Sequence, residues 1–168
     1  RDSSTSRGLG DVYKRQVCNN EYEKEHVRIC QVEPAYSDLE DVPEKGWYKI
    51  LFADSPENIA LLEKYIRSKN YPVDFVRSHD TFIEMLPKGS SKGASLKEYV
   101  KIMGMEDFKV IAAGDYHNDI EMLRTADVGA ATANAQPDVK KSADIVLEKS
   151  NEQGAIAELI DMIYDGKI

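Results

Sequence analysis

From Leu96 to Tyr164 short apolar runs alternate with stretches of helical period, and only a few residues connect one to the next. This alternation constrains the fold more than any other feature, because short-linked strand-helix-strand units return the chain in one direction and build a parallel sheet. Leu96, Val100 and Met103, at i, i+4 and i+7, predict a helix reaching Gly104. A strand over Phe108–Ala113 follows, then a helix over Asn118–Thr125 and a strand over Val128–Thr132. A short helix over Pro137–Ser142 and a strand over Asp144–Leu147 lead into a closing helix over Gly154–Tyr164. That last helix carries Ile156, Leu159, Ile160 and Ile163 on one side. The expected class is α/β, a Rossmann-like parallel half-sheet. Parallel strands need cover on both faces, and three strands are few for such a sheet, so part of it is expected to lie outside this sequence.

Upstream the pattern changes. Trp47–Ala53, rich in aromatic and branched residues, reads as a strand. Ser55 is placed to cap a helix with Pro56 at its first position. Ile59, Leu62 and Ile66, joined by Leu61 and Tyr65, give that helix an apolar face to about Ser68. Val73–Ser78 and Thr81–Leu86, separated by His79-Asp80, read as a hairpin. Trp47–Leu86 is therefore a small α+β layer of order β-α-β-β. The loop P-K-G-S-S-K-G, with two glycines, two serines and a proline, then marks a boundary between domains. Val17–Lys45 is polar and weakly patterned, and the alternation of Val27 and Ile29 within H-V-R-I-C-Q-V reads as one strand. Arg1–Gln16 has neither period nor an apolar core of signal-peptide type. It resembles a translated sequencing adapter and is expected to be a non-native, disordered tail. The expected organisation is a tail over 1–16, an α+β unit over 17–87 and the half-sheet over 88–168.

The chain has 168 residues, 42% hydrophobic and 31% charged, which fits a globular protein. A formal charge of −8 argues against a general binder of nucleic acid or of anionic membranes, and no apolar run is long enough to span a bilayer. An anionic ligand would need a local positive device, a lysine or a bound cation. Cys18 and Cys30 have no partner at metal-ligand spacing and read as reduced thiols, which points to the cytoplasm. His26 and His79 read as surface residues.

The chemistry gathers at G-D-Y-H-N-D-I-E-M-L, Gly114–Leu123, directly behind an apolar strand. Ligands of open parallel sheets sit beyond the carboxyl ends of the strands. Gly114 would allow a sharp exit there, and Asp115 would project a carboxylate into the crevice. Asn118 and Asp119 come a turn later, where either can cap the next helix or join Asp115 in holding a hard cation such as Mg²⁺. Lys92, at the start of a helix, has no helix-dipole reason to be there. It reads as an exposed lysine or as the positive device of the same crevice.

Taken together, F-I-E-M-L-P-K-G-S-S-K-G-A-S-L, then G-D-Y-H-N-D-I-E-M-L, then A-D-V-G-A-A-T-A-N-A-Q-P-D-V-K resemble the haloacid dehalogenase superfamily, and within it the Cof-type phosphatases with a type IIB cap. Ser91-Lys92-Gly93 matches the family's third motif and Gly114-Asp115-x-x-Asn118-Asp119 its fourth, and A-D-I-V with the closing N-E-Q-G-A-I-A helix matches its C-terminal core. The likeness runs from about Trp47 to Ile168. It implies a Mg²⁺-dependent phosphomonoester hydrolase acting through an aspartyl-phosphate on small phosphorylated metabolites such as sugar phosphates. It also implies that Asp115 ligates the metal and that Asp119 supports it through water or by orienting neighbours. Asn118 would bind the phosphoryl group, and Lys92 would neutralise that group and the nucleophile. Asn134 would help order the site or make a turn, and His117 would have no catalytic role. Trp47–Leu86 would be the end of the cap. The D-x-D nucleophile strand of the family and its phosphate-binding serine or threonine are not found, so the chain resembles a C-terminal part expected to be inactive alone. Two other enzyme readings are the phosphorylation domain of a cation pump, disfavoured by the absence of membrane spans, and a phosphomutase with the same cap. A non-enzymatic phosphate- or metal-binding module is the reading from another class.

Overall fold

The computed structural model describes residues 15–16, 20–31, 35–36, 38, 41, 48–105 and 107–168. The chain divides into two compact units, Arg1–Lys88 and Gly89–Ile168, and the division falls within the P-K-G-S-S-K-G loop. No helix among the described residues is long and apolar enough to cross a membrane.

In the first unit, β1 (Arg15–Gln16) and β2 (Ala35–Tyr36) form a two-residue parallel pair on either side of α1 (Glu21–Cys30). Here the structure corrects the expected strand at Val27–Gln31, since Val27 and Ile29 lie in α1. Two alternating residues are weak evidence against a run rich in Glu, Lys and Arg, which favour helix. Glu25 and Arg28, three apart, pair at 2.6 Å across one turn of this helix. Gln31, at φ 52°, takes the left-handed conformation that ends such a helix. His26 is also not a surface residue, because its half-buried ring stands edge-on to Phe82 at 5.3 Å.

The order β-α-β-β follows as β3 (Ile50–Ala53), α2 (Pro56–Arg67), β4 (Val73–His79) and β5 (Phe82–Pro87). Trp47, expected at the start of β3, lies outside the described residues. The strands form an antiparallel sheet of order β3-β5-β4, with Phe52 opposite Ile83 and Phe75 opposite Met85. Ser55 caps α2 by accepting from the Asn58 amide. Ile59 is buried with Phe82 and Ile83, but Leu61 and Tyr65, expected on the same face, are 65% and 54% exposed. At 100° per residue, Ile59, Leu62 and Ile66 already fill the stripe that meets the sheet.

Burial pushes the His26 imidazole below its ordinary value of 6.5, and the Lys49 charge adds to this while Glu84 partly offsets it. The folded ring therefore holds its proton more weakly than the unfolded one. Stability from this group is present above pH 6.5 and is lost as pH falls through the lowered folded value. Denaturation midpoints measured from pH 7.5 to 5 are expected to fall less in His26→Gln than in the parent chain, and parallel curves would refute this.

The second unit opens with α3 (Lys92–Ile102), capped by the Ser91 hydroxyl, which accepts from the Ala94 amide. Next come β6 (Ile111–Gly114), a single 3₁₀ turn (His117–Asp119), α4 (Ile120–Thr125) and β7 (Val128–Ala131). Then α5 (Pro137–Ser142), β8 (Ile145–Val146), a second 3₁₀ turn (Asn151–Gln153) and α6 (Ala155–Tyr164) complete it. The sheet is all parallel, of order β6-β7-β8, as the alternation predicts. Both faces are covered. Ala112 and Ala131 pack with Leu123, Ala135 and Val139 on one side, while Ala130 packs with Leu147, Ala155 and Leu159 on the other. The strands I-A-A-G and V-G-A-A carry small residues, so the helices lie close. A Cβ on Gly129 would come within 2.5 Å of the Leu123 carbonyl oxygen.

Three expectations shift. The strand expected from Phe108 starts at Ile111, because Asp127 accepts from the Val110 amide and the ladder begins at Ile111 opposite Val128; Phe108 is 64% exposed. Met103, on the stripe of Leu96 and Val100, is 53% exposed. In α6 the inward face is Ala155, Leu159 and Met162, whereas Ile156, Ile160 and Ile163 point outward. Small Ala155 lets the helix settle on the sheet, and the larger isoleucines one residue on are thereby turned away.

Candidate functional site

The carboxyl ends of β6, β7 and β8 converge on Asp115. Beyond β7, the Thr132 amide donates to the Gly114 carbonyl at 3.2 Å, and the Gln136 amide to the Asp115 carbonyl at 3.0 Å. Beyond β8, the Ala133 amide donates to the Lys149 carbonyl at 3.0 Å. Three loops thus share backbone hydrogen bonds around one half-buried carboxylate, where parallel sheets place their ligands.

Asp119 is the anchor of this corner. It is 4% exposed, and its Oδ2 accepts from the amides of Asp115 at 3.0 Å and Tyr116 at 3.2 Å. The other oxygen, Oδ1, accepts from Lys92 Nζ. Of the roles open to Asp119 in the sequence, the geometry displays that of holding backbone amides and an ammonium, which engages both oxygens. Lys92 reaches the same corner from the start of α3, with its side chain half exposed, and its ion-pair partner is Asp119 rather than Asp115.

Two glycines make this approach possible, and not by conformational freedom, since neither has a positive φ. A Cβ on Gly114 would lie 2.4 Å from Asp119 Cβ, and one on Gly93 would lie 2.6 Å from Glu121 Cγ and 2.8 Å from its carbonyl carbon. The space at Gly114 admits the Asp119 side chain, and the space at Gly93 seats α3 against α4 so that Lys92 can reach. The sharp exit expected of Gly114 is thus a matter of volume. Gly114→Ala, which would press on the Asp119 side chain, and Gly93→Ala, which would press on the Glu121 backbone, are each expected to cost about 2–3 kcal/mol, as overpacking does. Urea midpoints test this, and a loss below about 1 kcal/mol would refute it.

Asn134 is exposed, yet its Oδ1 accepts from the Thr132 hydroxyl at 2.9 Å and from the Asn151 amide at 3.0 Å, tying the loop after β7 to that after β8. Asn151 in turn donates from Nδ2 to Asp115 Oδ2 at 3.3 Å. Asn118 lies within the 3₁₀ turn between Asp115 and Asp119, and His117 points to Asp138 at 3.0 Å. Lys92, Asp115, Asn118, Asp119 and Asn134 therefore all belong to one corner of the second unit. Sequence reasoning missed Asn151 and the packing role of Gly93. The signal for Asn151 was a polar side chain just beyond the last strand, at the height of the other site residues.

Among the described residues, no three His, Cys, Asp or Glu side chains are grouped to hold a metal ion. A hard cation that keeps most of its water needs fewer protein donors. Asp115 fits that need: its Oδ2 is held by a neutral amide, and among the described residues no side chain engages its Oδ1.

Known proteins resemble this chain in sequence and in fold. The sequence profile of the haloacid dehalogenase-like hydrolases matches residues 9–160, beginning well upstream of Trp47. The chain is 34% identical over 140 residues to the Bacillus subtilis protein named "Putative phosphatase YxeH", a stretch covering 79% of this chain and 51% of that one. It is 39% identical over 105 residues to phosphoglycolate phosphatase 2 of Saccharolobus solfataricus, covering 62% and 41% of the two chains. It also superposes on a solved sugar phosphatase of HAD subclass IIB with a TM-score of 0.72 at 25% identity, covering 89% of this chain and 56% of that one. The chain spans about half the length of the curated relatives it matches. A profile match over most of the sequence, joined to a parallel sheet with this acidic corner, places the chain in the family of haloacid dehalogenase-like hydrolases.

Proposed function

We propose that this chain furnishes the cation- and phosphate-binding corner of a Mg²⁺-dependent phosphomonoester hydrolase acting on small phosphorylated metabolites. One observation carries the reading: a carboxylate at the end of β6 stands beside the pair of half-exposed Lys92 and buried Asp119, whose carboxylate accepts from the Asp115 backbone amide. Phosphoryl transfer asks little covalent chemistry of a protein beyond positioning and charge stabilisation. When bound, Mg²⁺ would neutralise charge on the phosphoryl oxygens. Asp115 would hold it, Asn118 would donate to the phosphoryl group, and Lys92 would bring positive charge to a chain of net −8. Asp119 would fix Lys92 and the Asp115 backbone in place, so that the site does not reorganise as charge moves.

The sequence contains no D-x-D pair, and the nucleophilic aspartate of the proposed aspartyl-phosphate is not among its readable motifs. The chain by itself is therefore expected to bind without turnover. The sugar-phosphatase neighbour and the phosphoglycolate-phosphatase relative support phosphorylated sugars and small phosphorylated acids as the substrate class. Isothermal titration of the chain with Mg²⁺, alone and with inorganic phosphate, tests the reading. Heat from Mg²⁺ that vanishes in Asp115→Ala supports it; equal heat in that variant would refute the assignment of Asp115. Joining the chain to a D-x-D strand and finding no phosphomonoester hydrolysis would favour the non-enzymatic binding module.

A further inference from the structure

We propose that Asn151 is a positioning residue for the Asp115 carboxylate, an inference resting on the reading of Asp115 as the cation-holding group. Two contacts set the orientation of its side-chain amide, and a third holds its backbone. Asn151 Oδ1 accepts from the Glu152 backbone amide at 2.9 Å, so the opposite end of the side chain must be the donor. That donor, Nδ2, lies 3.3 Å from Asp115 Oδ2. The backbone amide of Asn151 is pinned by Asn134 Oδ1 at 3.0 Å, and Asn134 is itself held by the Thr132 hydroxyl at 2.9 Å. A chain of hydrogen bonds thus runs from the end of β7, through the loop after β8, to the carboxylate after β6.

The choice of a neutral donor matters chemically. A lysine at this place would compete with a cation for Asp115, as Lys92 already occupies Asp119. An amide restrains one carboxylate oxygen and leaves the negative charge available at the other. Partners of this kind orient a ligating group, and losing one typically costs about 10-fold or more in metal affinity. Asn134 then acts one step further back, through the backbone of Asn151.

The test uses the whole chain labelled with ¹⁵N. Without metal, Asp115→Ala is expected to move the side-chain amide signal of Asn151, and an unmoved signal overturns the contact. With Mg²⁺, Asn151→Ala is expected to weaken the titration of the Asp115 amide signal about 10-fold, while the urea midpoint stays near that of the parent. Asn134→Ala should weaken it in the same direction, and the double variant should add little to Asn151→Ala. Mg²⁺ affinity unchanged in Asn151→Ala, with the parent binding normally, overturns the positioning role and leaves the reading of Asp115 intact. A parent chain that binds no Mg²⁺ sinks that reading, and the positioning role with it.

Discussion

Asp119→Ala is expected to unfold the carboxyl end of the three-stranded sheet rather than merely empty a ligand position. The side chain of Asp119 is 6% exposed. Its removal strands the amides of Asp115 and Tyr116 and leaves the Lys92 ammonium facing them without its counter-charge. Breaking a buried ion pair from one side costs about 3–5 kcal/mol, because the surviving charge stays desolvated. Lys92 is half exposed, so part of that cost is relieved by water. The two orphaned amides restore some of it, at about 1–3 kcal/mol each when a buried donor loses its partner. A loss of about 3 kcal/mol is the net expectation. For a unit of this size that lowers the melting temperature by about 10 °C or more. Asp119→Asn should fall between, since an amide oxygen can accept from one backbone N–H but cannot balance the ammonium. Denaturant unfolding of the three chains decides the matter, and an Asp119→Ala chain within about 1 kcal/mol of the parent would show that the carboxylate does not hold the corner together.

Asp115→Asn should behave in the opposite way, with stability nearly intact and chemistry lost. Asp115 is half-buried, its backbone is held by neighbours whatever the side chain, and an asparagine can still accept from Asn151 Nδ2. What disappears is the negative charge at the end of β6. In a polypeptide joining this chain to the D-x-D strand of the family, we expect phosphomonoester turnover to fall on the order of 10²–10³-fold or more, as when a single charge-stabilising group is removed. A larger Mg²⁺ requirement should accompany the loss. Turnover within a few-fold of the parent at equal Mg²⁺ would show that the cation is held elsewhere. Together the two variants separate the aspartate that keeps the corner folded from the one proposed to act in it, a division that two carboxylates four residues apart do not announce.

The parallel sheet was legible because it follows from short connections alone: the order β6-β7-β8, with α5 at Pro137–Ser142, matches the alternation read along the chain. The β-α-β-β layer was legible for a similar reason, since the Ser55 cap, Pro56 and the polar His79-Asp80 turn are local signals. Inward faces were less so. Periodicity says which residues share a side of a helix, but Ile156, Ile160 and Ile163 lost the core of α6 to Ala155, Leu159 and Met162. Hydrophobicity ranks residues, whereas close packing against a sheet of alanine and glycine selects by size. The helix α1 was misread because two alternating residues weigh little beside a pairing such as Glu25 with Arg28.

At the corner, the residue types and their spacing were present in the one-dimensional chain: Lys92, Asp115, Asn118 and Asp119 stand in two short motifs. Their division of labour was not. That Lys92 meets Asp119 depends on absent Cβ atoms at Gly93 and Gly114, and that Asn151 meets Asp115 depends on three loops arriving at one level. Local patterns record what each segment does with its near neighbours. The contacts that assign roles here span 27 and 36 residues, and only the packed chain brings such distant groups together.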